Sequence, residues 1–289
     1  MDSLAAMPMV EKLSSRVFRI LGLNPGKFTL QGTNTYLIGN GSQRILLDTG
    51  EGKPGYIPLL EAALSHLGVD RISHVILTHW HADHVGGLPS LLERYRRPSS
   101  TPADLPENIA DGQAFTVEGA TLRAVHTPGH TADHMAFYLE EENALFAGDC
   151  VLGHGNTVFE DLHQYIQSLK MLRTIGSERI YPGHGPVIED GQSTLEAYIR
   201  HRMDREEEIL HLLSSRPYVA DLHSRPTNPD GGVPWTARDL VQIIYAKYPV
   251  SLHDAAESSV LLHLAKLQNE NRVYAMHTDD MTYWSVTPK

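Results

Sequence analysis

The chain has few of three sequence features that indicate a protein's compartment or its partners: cysteine residues, long apolar runs and basic residues. Its 289 residues include one cysteine, Cys150, so no disulfide can form within the chain. This favours a reducing compartment, and the first residues show neither a secretory signal nor an Arg-rich transit pattern. No apolar run is long enough to span a bilayer. We therefore expect a cytoplasmic protein that acts away from membranes.

The shortage of basic charge bears on which partners the chain can bind. There are 24 Lys and Arg residues against 35 Asp and Glu residues, and the formal net charge is −11 with histidine neutral. Proteins that bind nucleic acid usually cluster Lys and Arg on the surface that meets the phosphates. The acidity argues against an extended nucleic-acid surface, although bound metal ions and a local patch could still attract phosphate.

Histidine, in contrast, is abundant, and the 17 copies are unevenly spread. One short run, residues 79–84, holds three histidines and an aspartate, and three more candidates lie on later glycine-containing segments. Zinc prefers imidazole nitrogen and carboxylate oxygen in a roughly tetrahedral shell. A lone histidine is more often structural, but this cluster is rare by chance. The pattern predicts a site for two metal ions on a loop, with these candidate ligands: His79, His81, Asp83, His84, His130, Asp149 and His184.

The arrangement of apolar segments predicts two domains. Strands alternate with helices up to about residue 190, which indicates a layered α/β catalytic domain over residues 1–192. The remainder, 193–289, holds three helical segments and a closing hairpin, as in a winged helix. The run Ser193-Thr194-Leu195-Glu196 predicts a capping box at the start of the first of these helices. Its apolar stripe predicts that the tail packs on the catalytic domain as a lid.

The motifs resemble those of a known family. The segments that carry the resemblance are Thr78–His84, Thr-Pro-Gly-His at 127–130, Gly-Asp-Cys at 148–150 and Tyr-Pro-Gly-His-Gly-Pro at 181–186. Together they are similar to the signature of the metallo-β-lactamase superfamily. Segments 29–37 and 158–162 resemble its β-lactamase-like protein 2 branch, which also has a winged-helix-like tail. The resemblance implies an αββα sandwich with a small C-terminal winged-helix-like domain.

The same resemblance implies a role for each candidate ligand. The first Zn²⁺ ion would be held by His79, His81 and His130. The second would be held by Asp83, His84 and His184. Asp149 would bridge the two ions, and Asp48 would support the ligand loop without binding metal. Asp83 would also orient the attacking water and accept its proton, which makes it the predicted catalytic residue. Cys150 follows Asp149 directly, and we interpret it as a packing residue, with a nucleophilic role as the alternative.

The metal site itself does not specify the substrate. The resemblance offers release of an aromatic polyketide from an acyl carrier protein by thioester hydrolysis, as in fungal members, or single-strand RNA cleavage, as in animal members. We favour the thioesterase because segments 48–54 and 26–28 look fungal and because the third C-terminal helix, about 255–267, is poor in basic residues. Its partner would be a carrier protein or polyketide synthase. A catalytically weak metal-binding partner of a synthase is a third hypothesis.

Segment 92–111, which can border the substrate channel, looks shorter than in similar proteins.

Overall fold

The computed structural model describes residues 4–95, 108–215, 225–228, 232–278 and 281–288. The chain divides into two compact units, Met1–Tyr198 and Ile199–Lys289. The functional division that we predict after residue 192 stays a prediction, and so does the lid role of the tail. Most of the short segment 92–111 lies outside the described residues.

The first sheet of the first unit supplies the strand that leads into the histidine run. Its five strands are β1 (Val10–Lys12), β2 (Val17–Leu21), β3 (Asn34–Ile38), β4 (Gln43–Leu47) and β5 (Arg71–Ile76), in that spatial order. Strands β1 to β4 pair antiparallel, whereas β4 and β5 pair parallel. A parallel pair needs a crossover connection, and helix α1 (Tyr56–His66) provides it.

The second sheet carries the remaining candidate ligands. Two short helices, α2 (Ala82–Val85) and α3 (Leu88–Tyr95), precede it. Its strands are β6 (Ala114–Val117), β7 (Ala120–His126), β8 (Met135–Leu139), β9 (Ala144–Gly148) and β10 (Arg179–Pro182), in the order β10-β9-β8-β7-β6. The parallel pair β9 and β10 is joined through helix α4 (Leu162–Ile175), and a 3-10 turn, Glu140–Glu142, links β8 to β9.

Buried side chains show why the unit has four layers. One core joins the two sheets, and its members include Val17, Tyr36, Ile45, Leu122, Phe137 and Phe146. A second core joins the outer face of the first sheet to α1 and α3, with Ile20, Leu37, Leu46, Leu60 and Leu91 among its members. Helix α4 buries Tyr165, Ile166 and Leu169. The predicted αββα sandwich is therefore confirmed.

Two local predictions were wrong. The long helix α5 spans Gly191–Leu213, so it begins before the expected capping box. Asp190 Oδ1 accepts a hydrogen bond from Ser193 N at 3.0 Å, so Asp190, three residues before Ser193, caps the first turn of the helix. The histidine run also does not lie wholly on a loop, because Asp83 and His84 belong to the single turn of α2.

The second unit contains the rest of α5, then α6 (Ala237–Ile244), a 3-10 turn (Val250–Leu252), α7 (His253–Asn269), β11 (Val273–His277) and β12 (Thr282–Val286). The two strands form an antiparallel hairpin, as predicted. Thr236 and Asp239 form a reciprocal capping box at the start of α6. The shared core includes Ile209, Trp235, Leu240, Val260, Leu264 and Trp284. Within the described ranges, no helix is long and apolar enough to cross a membrane.

Candidate metal centre

Each candidate ligand lies in a segment that follows the carboxyl end of a strand, β5 in the first sheet and β7, β9 and β10 in the second. The run 79–84 follows β5, and His130 follows β7. Asp149 follows β9 and His184 follows β10, which pair parallel and therefore end at the same edge of their sheet. All seven residues fall into three overlapping groups whose ligand atoms lie within 4.8 Å of one another.

The first group holds three imidazoles. His81 Nδ1 lies 2.9 Å from His79 Nε2 and 3.1 Å from His130 Nε2. Tetrahedral zinc binds imidazole nitrogen at about 2.0–2.1 Å, which separates neighbouring ligand atoms by about 3.3 Å. The three nitrogens are therefore spaced closely enough to share one ion.

The second group combines a carboxylate with two imidazoles. His184 Nε2 lies 3.1 Å from Asp83 Oδ2 and 3.3 Å from His84 Nε2. The remaining side of this triangle, from His84 Nε2 to Asp83 Oδ2, measures 3.5 Å. These distances match the same tetrahedral spacing.

Asp149 lies between the three imidazoles of the first group and the side chains of Asp83, His84 and His184 in the second. Its Oδ2 is 3.3 Å from His184 Nε2 and 3.8 Å from His130 Nε2, and its Oδ1 is 3.4 Å from His84 Nε2. Asp149 Oδ1 is buried, and no residue in the described ranges donates a hydrogen bond to it. A buried carboxylate oxygen without a donor is costly, and a shared cation would remove that cost. The residues present therefore fit two metal ions, while the assignment of each ligand stays a prediction.

Further contacts orient the ligand rings from behind. Asp48 Oδ2 lies 2.8 Å from His84 Nδ1, and Asp48 Oδ1 accepts a hydrogen bond from Thr78 N at 2.8 Å. His130 Nδ1 lies 2.7 Å from Val158 O, to which it donates. A ring nitrogen that donates in this way leaves the other nitrogen free to bind metal. Asp48 thus takes the supporting position that the sequence indicates.

Burial and neighbouring charge set the protonation of the group. Burial lowers the pKa of His79. Burial acts in the same direction on His184, but the charge of Asp149 outweighs it and raises the pKa of His184 to about 9. Burial would raise the pKa of Asp149, yet His184 and His84 hold it well below its usual range. Metal ligands must be deprotonated, so a cation here competes with a proton on His184.

Sequence reasoning missed two supporting residues. Thr78 Oγ1 lies 2.9 Å from Asp48 Oδ2 and 3.0 Å from His79 Nδ1, so it connects the supporting carboxylate to a ligand ring. At Gly183, a Cβ atom would stand 2.3 Å from Asp149 Oδ1. Both positions adjoin a ligand in sequence, but a pattern of residue types does not reveal which neighbour contacts it.

Cys150 is fully buried, and burial raises the pKa of its thiol to about 12. A buried, protonated thiol is a poor nucleophile. The burial of Cys150 agrees with its interpretation as a packing residue.

Comparison with known families and proteins agrees with this geometry. The model of the metallo-beta-lactamase superfamily matches residues 28–104 and 96–184, and that of the beta-lactamase associated winged helix domain matches 236–284. A beta-lactamase-like protein 2 homolog from Caenorhabditis elegans is 41% identical over 96% of this chain and 92% of its own length. An atrochrysone carboxyl ACP thioesterase from Cryptosporiopsis is 48% identical over 71% of this chain and 65% of its own length.

A solved structure extends the likeness to the fold. A metallo-beta-lactamase family protein from Thermus thermophilus superposes with a TM-score of 0.67, over 95% of this chain and 100% of that one. Only 24% of the residues are identical, so the likeness concerns the fold alone.

Proposed function

We propose that this chain, which belongs to the metallo-β-lactamase superfamily, is a dinuclear zinc hydrolase that releases an aromatic polyketide from an acyl carrier protein. The observation that carries the proposal is the arrangement of seven ligand side chains in three overlapping groups, with Asp149 between them. One set of three imidazoles and one set of two imidazoles and a carboxylate suit zinc. We assign His79, His81 and His130 to one ion, and Asp83, His84 and His184 to the other.

Two zinc ions in such a site, when bound, supply an activated water and polarise a substrate carbonyl. The protein's own part is to hold the carboxylates charged and to handle one proton. Burial would raise the pKa of Asp83, but its hydrogen bond with His184 lowers the pKa below the usual value. Its side chain is 24% exposed, against 11% for Asp149, so Asp83 is the ligand carboxylate that water can reach.

A thioester suits this arrangement chemically. Water adds its oxygen to the acyl carbon, the C–S bond breaks, and the sulfur leaves as a thiolate with the electron pair. Asp83 accepts the proton of the attacking water and passes it to solvent. The leaving thiolate needs no acid on the protein, because a thiol ionises near pH 8.5.

The loops around the ligands support an acyl substrate rather than a polyanion. Trp80, between two ligands of the first group, is 58% exposed, and its ring centroid lies 4.5 Å from that of His81. Val158, whose carbonyl holds His130, is 61% exposed. Large exposed apolar side chains beside a polar site usually meet a ligand or partner. The carrier-protein partner is proposed from the likeness to the Cryptosporiopsis thioesterase, and the cytoplasmic site of action from the single buried cysteine.

The deciding experiment offers zinc-loaded full-length protein an aromatic acyl-carrier thioester and, separately, a single-stranded RNA. Asp83→Asn is the matched control, because it keeps the size of the side chain but removes both the proton acceptor and the negative charge of an assigned metal ligand. We expect thioester hydrolysis that is lost in the variant, and intact RNA. Cleavage of RNA that Asp83→Asn abolishes, without thioester turnover, would establish the nuclease alternative. Zinc binding with neither activity would favour a metal-binding partner of a synthase.

A further inference from the structure

His134 occupies a buried position between two loops that carry ligands. It directly precedes β8 and is fully buried, although it belongs to none of the three ligand groups. Its backbone oxygen accepts a hydrogen bond from Thr127 N at 2.9 Å. The next residue, Met135, donates its N–H to Thr78 O at 2.8 Å. The backbone here therefore links Thr78, which directly precedes His79, to the segment before His130.

The imidazole of His134 reaches a third loop. Its Nε2 lies 3.1 Å from Asp149 N, and its Nδ1 lies 2.7 Å from Thr127 Oγ1. A backbone N–H can only donate, so Nε2 must carry a lone pair. The single ring proton is then on Nδ1 and is donated to Thr127 Oγ1. The contacts fix both the tautomer and the direction of the ring.

The backbone before Asp149 is shaped to admit this contact. Gly148 has a φ of 48°, in the left-handed region that favours glycine. A Cβ atom at Gly148 would lie 2.6 Å from His134 Nε2. The close approach of the His134 ring fixes the position of the Asp149 amide. Because the side chain of Asp149 is short, the position of its backbone decides whether its carboxylate reaches His84, His130 and His184.

We propose that His134 is a positioning residue, which holds the backbone of Asp149 so that its carboxylate spans both halves of the metal centre. The inference rests on the metal centre of the proposed function, and not on the identity of the substrate. It predicts that the accepting atom at the Nε2 position matters for metal affinity, and that burial of the ring alone does not.

Two amide variants distinguish a role of the accepting atom from a role of burial alone. Gln at position 134 can place an oxygen near the Nε2 position and accept from Asp149 N, whereas Asn can place its amide only near Nδ1 and donate to Thr127. Zinc affinity and stoichiometry are measured on full-length protein by competition with a chromophoric chelator. The melting temperature of the metal-free protein is measured in parallel, because a merely structural role would lower it equally in both variants.

We expect His134→Asn to weaken zinc binding by about 10- to 100-fold, the usual effect of losing a contact behind a ligand. We expect His134→Gln to bind zinc within about threefold of wild type, by the same comparison. Equal affinity in the two variants would overturn the proposal. If His134→Asn does not fold, Thr127→Val replaces it: this change frees the tautomer, and unchanged zinc affinity would again overturn the proposal. Failure of the wild type to bind zinc would instead refute the metal centre itself.

Discussion

Asp48 Oδ2 lies 2.8 Å from His84 Nδ1, on the side of the ring opposite Nε2, the nitrogen that we assign to the second metal ion. Both side chains are buried, so the pair is shielded from water. The carboxylate fixes the His84 tautomer and increases the electron density of Nε2. The centre thus depends on a residue that need not bind metal.

Replacing Asp48 with Asn tests this relationship. Asp48 has a φ of 60°, and Asn tolerates this left-handed conformation, so the backbone should be kept. The neutral amide accepts less strongly from His84, and we expect zinc affinity at the second position to fall by about 10- to 100-fold. Calorimetric titration of metal-free protein checks the prediction. Two unchanged zinc-binding events would show that Asp48 does not tune the ligand.

Metal analysis of ligand variants tests the assignment of each ion. Wild type should carry close to two zinc ions per chain. His81→Ala should lower occupancy of the first position and His184→Ala that of the second, with about one ion retained in each case. Asp149→Ala should lower both, because its carboxylate lies near ligands of both groups. Loss of a single ion in Asp149→Ala would contradict a bridging role.

Gly183→Ala tests whether space for the Asp149 carboxylate is essential. The added Cβ would stand 2.3 Å from Asp149 Oδ1, so the carboxylate must move, and zinc affinity should fall at least about tenfold. Gly176→Ala is the control, since it has a φ of 80° but nothing within 4 Å of the added Cβ. The control should cost about 1 kcal/mol of unfolding free energy and leave zinc binding unchanged. Similar zinc affinity in the two variants would remove the steric argument.

Alkaline pH should destabilise the fold through Cys150. The pKa of its thiol is raised to about 12 in the folded state, from an ordinary value of 9.0. The unfolded chain therefore loses this proton first, and the stabilisation that is complete below about pH 9 is lost as the pH rises towards 12. Unfolding measured from pH 8 to 11 should show falling stability, less steeply in Cys150→Ala. Rapid alkylation of the native thiol at pH 8 would contradict its burial and revive a nucleophilic role.

The sequence points to the candidate ligands because four of them lie within six residues and the others in short glycine-containing motifs. It does not reveal Thr78 or the contact of His134 with Asp149, since these depend on how separate loops meet in space. Strands β1 and β6 are hard to predict from the sequence because both are short and partly exposed, which leaves no clear apolar pattern. The start of α5 was misplaced because Asp190 and Ser193 are both good capping residues, and only the backbone geometry selects Asp190.

The central claim is that thioester hydrolysis requires both metal positions, and one titration tests it most directly. Metal-depleted full-length protein receives zinc in steps, and hydrolysis of an aromatic acyl-carrier thioester is measured at each step. The account predicts negligible activity without metal and a maximum near two zinc ions per chain, with Asp83→Asn inactive throughout. Full hydrolysis by the metal-depleted protein, or a maximum at one ion per chain, would contradict it.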